Sequence, residues 1–218
     1  LPYPEAVFDL KYFRKNPEPF YQLPKELFGT KVNPVITHHF IKILADEGLL
    51  HLNFTQNIDG LEVEAGVDPK FMVEAHGHNR SAHCIKCKKE AEIEEYMKYV
   101  EKQKIYKCGC SGLIKPDIVF FGEDLPMKFH KNFYEMEKAD LVIVMGTSLM
   151  VMPFASLVDM VPKDVPLVYV NRENTKIKRD NFLFMKGDID GQVEDLIRDL
   201  GWENKLAKVR ENSNKTKL

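Results

Sequence analysis

An α/β fold is predicted for this sequence: a parallel sheet with helices on both faces, plus a small zinc-binding module. Three observations predict it. Apolar runs at residues 50–55, 71–75, 117–121, 140–145, 166–170 and 182–185 read as strands, and helix-period stretches at 33–49, 127–139, 153–161 and 190–200 fall among them. Strands alternating with helices build parallel sheets joined by crossovers. Several runs end in polar or glycine-bearing turns, where open α/β sheets bind ligands. All four cysteines lie between Cys84 and Cys110, a clustering that suits a metal site in a reducing compartment better than a disulfide framework.

Taken in order, residues 1–30 are rich in proline and aromatics and read as short helices broken by prolines, forming a small apolar layer. Residues 33–49 form an amphipathic helix, with Pro34 at its start and Ile36, Phe40, Ile43 and Leu44 at helical spacing. His38 and His39 on it are read as packed or surface residues. A strand at 50–55, a short helix from Ile58 and a strand at 71–75 precede the cysteine stretch. The charged run at 88–107 is the solvated face of a helix. From Pro116 the alternation resumes, and the helix at 190–200 stops at Gly201. Residues 203–218 are polar and read as a frayed tail.

The chain is long enough, at 218 residues, for a sizeable core in one or two domains. With 44% hydrophobic and 29% charged residues it has an ordinary globular composition. A net charge of −2 gives no electrostatic ground for a nucleic-acid partner. No apolar run approaches the roughly 20 residues that span a bilayer, so no membrane partner is expected.

Candidate chemistry gathers at three places. The strand at 50–55 runs into Gln56, Asn57, Ile58 and Asp59, and the next strand ends in His76 followed by Gly77. Two strands would thus bring amides, a carboxylate and an imidazole to one rim. An amide and a carboxylate can read a carboxamide, and histidine can take up and return a proton near neutrality. The plain alternative is a strand-to-helix turn capped by Asp59. Second, the strand at 140–145 enters Gly146, Thr147 and Ser148, and the strand at 166–170 is followed by Asn171 and Glu173. Glycine permits close backbone approach to phosphate or ribose, and the polar side chains suit ribose hydroxyls. Third, Cys84 and Cys87 with Cys108 and Cys110 offer four thiolates for one closed, structural zinc ion. The second pair is unusually tight, and Gly109 eases its turn. His78 and His83 are the possible substitutes for a cysteine.

Four motifs stand in order: Thr55-Gln56-Asn57-Ile58-Asp59, Glu74-Ala75-His76-Gly77, Lys115-Pro116-Asp117-Ile118-Val119-Phe120-Phe121-Gly122-Glu123 and Gly146-Thr147-Ser148. With the cysteine module they resemble the sirtuins, the NAD-dependent protein-lysine deacylases, and the eukaryotic cytosolic branch above all. The resemblance runs over residues 1–202. It implies a Rossmann-like NAD-binding domain at 1–77 and 116–202, with 1–32 a helical part of the small module, the zinc module at 78–115, and a tail at 203–218. It implies NAD as cofactor, with Gln56, Asn57, Ile58 and Asp59 around nicotinamide and ribose. Gly146, Thr147, Ser148, Asn171, Arg172, Glu173 and Ile189 would lie on the adenosine side. His76 would be the general base and Asn57 would position ribose or water. Val119, Phe120, Gly122 and Glu123 would line the acyl-lysine groove. The implied reaction moves the acyl group of acyl-lysine to ADP-ribose and releases nicotinamide. Implied partners are acyl-lysine proteins such as histones or tubulin, in the cytoplasm and secondarily the nucleus.

Two departures from the pattern stand out. The family begins its cofactor fold with a Gly-Ala-Gly loop and an Asp-Phe-Arg segment, and neither occurs here. The chain is therefore expected to be part of a longer protein; the alternative is a non-catalytic binder of acyl-lysine or ADP-ribose. After His76-Gly77 the family usually has a small hydroxyl residue and an aromatic, where this chain has His78, Asn79 and Arg80.

Overall fold

A computed structural model describes residues 1–23, 32–175 and 177–215. Two compact units make up the chain. The first comprises Leu1–Val32, Thr55–Asp59 and Glu74–Met127, and the second Asn33–Phe54, Gly60–Val73 and Lys128–Leu218. The expected apolar layer at 1–30 falls partly outside the described residues, which omit 24–31.

The first unit opens with a 3-10 turn, Pro4–Phe8, then α1 (Leu10–Lys15) and α2 (Glu18–Tyr21). Asp9 caps α1 by accepting the Tyr12 N–H at 2.7 Å. β3 (Gly77–Cys84), β4 (Glu90–Ala91) and β5 (Ile114–Ile118) follow, with α5 (Ile93–Glu101) between β4 and β5. These strands form an antiparallel sheet in the order β4-β3-β5. The expected strand at 117–121 is therefore shifted to 114–118 and belongs to this sheet. Alternation shows which residues face a core but not which strand is the partner.

Rings dominate the core of this unit. Phe120 lies 5.8, 5.5 and 5.2 Å from Phe8, Phe13 and Phe20 by ring centroid, mostly edge to face, the arrangement aromatic quadrupoles favour. Tyr21 is fully buried and its hydroxyl donates to the Ile114 carbonyl at 2.5 Å. That bond ties residues 1–23 to the strand that follows the cysteines.

The second unit holds a parallel sheet in the order β6 (Val142–Met145), β7 (Leu167–Asn171), β8 (Phe182–Lys186). Its two faces are covered differently. Ile143 and Met145 pack on α3 (Ile36–Asp46), α7 (Ile189–Asp199) and α8 (Glu203–Lys215) through Phe40, Ile43, Val193, Ile197, Leu206 and Val209. Val142 and Val144 pack with Leu167, Tyr169, Val158 and Met136 on the other side. There the expected helices at 127–139 and 153–161 are mostly 3-10: after α6 (Met127–Asn132) come the turns Phe133–Lys138 and Phe154–Met160.

The expected polar tail is corrected. Residues 203–215 form α8, with Leu206, Val209 and Ser213 buried. These positions, three and four apart, make one narrow face in an otherwise charged stretch. Lys205 pairs with Glu47 at 2.6 Å, and the Ser213 hydroxyl donates to the Glu64 carbonyl.

β1 (Asn53–Thr55) and β2 (Met72–Glu74) pair with each other. A short helix, α4 (Leu61–Glu64), follows Gly60, whose φ of +72° is left-handed.

Candidate active site and metal centre

In the first unit, the Asn57 N–H donates to the buried Thr55 hydroxyl at 3.1 Å. This local bond turns the chain out of β1 and leaves Gln56 half-buried and Asn57 and Asp59 exposed. The Ala75 N–H donates to the Thr55 carbonyl at 2.9 Å, which holds the end of β2 beside the turn. His76 follows, half-buried, with a hydrogen bond to the Gln56 backbone. His76 thus meets the backbone of Gln56, one of the three turn residues expected to share its rim. Burial lowers the His76 pKa and the Gln56 backbone bond opposes it; the net shift is down from 6.5. The lowered pKa favours the neutral imidazole, the form that can accept a proton.

Gly77 has φ +74°, and a Cβ there would overlap the Asp117 carbonyl. The Val119 N–H donates to the His76 carbonyl at 2.8 Å. The residues after β5 therefore run directly beside His76. Phe121 is fixed on its other side: its N–H donates to the Phe8 carbonyl and its carbonyl accepts from Leu10. Phe120 is 1% exposed and is a core ring, Val119 is half-buried and Gly122 is exposed. Glu123 turns inward: its carboxylate accepts the Phe120 N–H at 2.8 Å and pairs with the buried Lys115 at 3.0 Å. Burial lowers the Lys115 pKa, against the pull of Glu123.

The residues after Gly77 have their own partners. Arg80 grips the Glu74 carboxylate through two bonds, at 2.7 and 2.6 Å. Asp117 accepts from Ser81 and contacts His83 Nδ1 at 2.8 Å. His83 thereby serves Asp117. Among the described residues, neither His78 nor His83 belongs to a metal-type cluster.

Cys84, Cys87, Cys108 and Cys110 do. Their Sγ atoms all lie within 4.8 Å of one another, with Cys84–Cys110 at 3.5 Å and Cys87–Cys108 at 3.7 Å. A tetrahedron with Zn–S of about 2.3 Å has edges of about 3.8 Å, so the set fits zinc. Burial pushes the Cys84 thiol up, but the N–H groups of Cys87 and Lys86, at 3.5 and 3.4 Å from its Sγ, help draw it down to about 6. Gly109, expected to ease the second knuckle, sits in open space. The glycine this centre requires is Gly112, where a Cβ would come within 2.5 Å of Cys84 Sγ and 3.3 Å of Cys110 Sγ. Four thiolates leave zinc no open position, so its contribution is structural.

In the second unit, Gly146 continues the ladder by donating to the Val170 carbonyl at 3.1 Å, then turns with φ +66°. A Cβ there would lie 2.6 Å from Ile189 Cδ1, but the tip of that side chain could yield, so it is the left-handed φ that favours glycine at this strand end. The Thr147 carbonyl accepts from the Tyr169 hydroxyl at 2.7 Å and from the Asn171 amide at 3.2 Å. The same amide donates to the Tyr169 hydroxyl at 2.7 Å. Gly146, Thr147, Asn171 and Ile189 thus come together, and Ser148 stands exposed beside them. Arg172 turns to Asp188 at 2.8 Å, and Glu173 is exposed. Sequence reasoning missed Tyr169, whose place inside an apolar strand signals packing rather than loop support.

The chain is similar to known proteins over most of its length. A family model described as Sir2 family matches residues 1–153. The chain is 46% identical over 228 residues to the NAD-dependent deacetylase sir2A of Dictyostelium discoideum, covering 97% of this chain and 44% of that protein. It is 47% identical over 220 residues to the NAD-dependent protein deacetylase hst2 of Schizosaccharomyces pombe, covering 99% and 66%. It is 45% identical over 179 residues to the NAD-dependent protein deacetylase sirtuin-2 of Danio rerio, covering 80% and 47%. The chain thus spans between 44% and 66% of the length of these curated relatives.

Proposed function

Because the chain belongs to the Sir2 family, we propose that it serves NAD-dependent removal of acyl groups from protein lysines. The observation that carries this reading is the half-buried His76, held on the Gln56 backbone with its pKa lowered. The relatives' names supply the reaction class: NAD-dependent protein deacetylase.

NAD, when bound, would supply the ribose carbon that the acyl oxygen attacks, with nicotinamide as the leaving group and a ribose hydroxyl as the final acceptor of the acyl group. We assign Gln56, Asn57, Ile58 and Asp59 to the nicotinamide half, and Gly146, Thr147, Ser148, Asn171, Arg172, Glu173 and Ile189 to the adenosine half. The fit rests on a carboxamide-reading turn and on a glycine-ended strand whose loop carbonyl is held from below. His76 takes the proton of a ribose hydroxyl, which its neutral form permits. Asn57, exposed next to Gln56, orients ribose or water. The peptide lies along residues 119–123, where Gly122 is exposed and the Phe120 and Phe121 backbone groups are already bonded within the chain. Val119, Gly122 and the exposed Phe121 face it, while Phe120 and Glu123 hold the lip from inside. One zinc ion on the four cysteines keeps the module beside it folded.

Substrates of this reading are acetylated proteins such as histones or tubulin. Four free cysteines suit a reducing compartment, the cytoplasm first and the nucleus second. The test incubates an acetyl-lysine peptide with NAD and the full chain. Nicotinamide, the free lysine and O-acetyl-ADP-ribose in equal amounts are expected by mass spectrometry. Peptide binding without any of these products would instead favour a non-catalytic acyl-lysine binder.

A further inference from the structure

Lys115 sits inside β5 and is 7% exposed, an expensive place for a cation unless its partners are complete. They are complete. Its ammonium donates to the Pro116 carbonyl at 2.9 Å and to the Ile118 carbonyl at 2.5 Å, and pairs with Glu123 at 3.0 Å. An ammonium has three donors, and all three are used. The ammonium also lies 4.4 Å from the centroid of the Phe120 ring. Glu123 in turn accepts the Phe120 N–H at 2.8 Å, and its own N–H donates to the Phe120 carbonyl at 2.9 Å. Gly122 makes the turn possible with φ +89°.

Every bond in this network ends on β5 or on the turn that leaves it. The apolar packing of Phe120 against Phe8, Phe13 and Phe20 fixes one ring, and backbone bonds to His76, Phe8 and Leu10 hold Val119 and Phe121, but neither holds the turn from Phe120 to Glu123. The polar network does, because it sets both the last carbonyl of β5 and the two ends of the turn. We propose that Lys115 is a positioning residue for peptide substrate: with Glu123 it locks residues 119–123 in the conformation that receives the acyl-lysine strand. This rests on the deacylase reading above, and it gives Glu123 an inward supporting role.

The experiment compares the full chain with Lys115→Met, which keeps the stem over Phe120 and removes the ammonium, and with Glu123→Gln, which keeps an acceptor for the Phe120 N–H. Amide exchange is followed at Phe120 and Glu123, with Cys84 and Cys108 as references in the metal module. In Lys115→Met, exchange at the two turn amides is expected to quicken about tenfold or more, with the references unchanged. Peptide KM is expected to rise about tenfold, while kcat and the KM for NAD stay within about twofold. Glu123→Gln should show the same pattern at smaller amplitude. A folded variant with unchanged turn exchange overturns the proposal, and so does an equal loss in kcat and in both KM values. If Lys115→Met does not fold, unchanged turn exchange in Glu123→Gln overturns it equally. Wild-type chain that neither binds peptide nor releases nicotinamide would defeat the deacylase reading, and the exchange comparison would still decide the lock.

Discussion

The second unit buries aliphatic side chains, with rings such as Phe40 and Tyr169 among them, on both faces of a parallel sheet, whereas the first adds to its apolar core a cluster of rings, four thiols and one paired ammonium around a three-stranded antiparallel sheet. The second unit gains its stability from many interchangeable contacts spread over regular elements. The first depends on a few bonds with no substitute: four sulfurs, one tyrosine hydroxyl and one buried ion pair. It also carries the proposed base and the peptide lip. The lesson is that the proposed base and peptide lip are placed by irregular, individually necessary contacts, whereas the sheet that carries the proposed adenosine-side residues is placed by repetitive packing. Each variant below either breaks that contrast or sharpens it.

Metal removal should have the largest effect. Stripping zinc with a chelator, or replacing Cys84 with Ser, is expected to lower the melting transition of the first unit by roughly 10 °C or more. The transition of the second unit should move little. Calorimetry reads both, and a uniform shift of the two would break the contrast. Gly112→Ala tests the same centre without touching a ligand, since its new Cβ would press on two of the sulfurs; weaker zinc retention is expected, read by metal analysis after dialysis. In the second unit, Leu206→Ala removes a buried side chain from the α3–α7–α8 core. A loss of about 2–3 kcal/mol in urea unfolding is expected, with NAD and peptide KM unchanged. Tyr169→Phe deletes one hydroxyl under the Thr147 carbonyl. About 1 kcal/mol, or a fivefold rise in the KM for NAD, is expected, with peptide KM unaltered.

The contrast also explains what could be read in advance. β6, β7 and β8 are β-branched and aromatic runs between turn residues, and they lie within two residues of their expected places. The meeting of Gln56 and His76 was legible because two adjacent strands end in polar clusters. α8 was not, because among the described residues its buried face is Leu206, Val209 and Ser213 amid charge, and average polarity hides so thin a stripe. The partner of β5 was hidden because a period of two is the same in parallel and antiparallel sheets. Spacing drew attention to Gly109, since it lies between two ligands; the need for Gly112 arises only when the sulfurs converge in space. Lys115 reads as a surface residue in any sequence window, because its partners are carbonyls and a glutamate eight residues on.

The central claim is that His76 works as a base in its neutral form. Because its folded pKa is lowered below 6.5, the unfolded chain takes the proton more readily. Stability contributed at this site is therefore lost as pH falls from 6.5 towards the folded value. Activity should follow the folded value: the acid limb of kcat/KM should sit below pH 6.5 and stay flat above it. The most direct test is nicotinamide release by His76→Ala in the presence of NAD and an acetyl-lysine peptide, with zinc content and peptide affinity checked in parallel. A fall of roughly a hundredfold to ten-thousandfold in a folded, peptide-binding variant is expected. Release within tenfold of wild type, with the acid limb unmoved, would contradict the account.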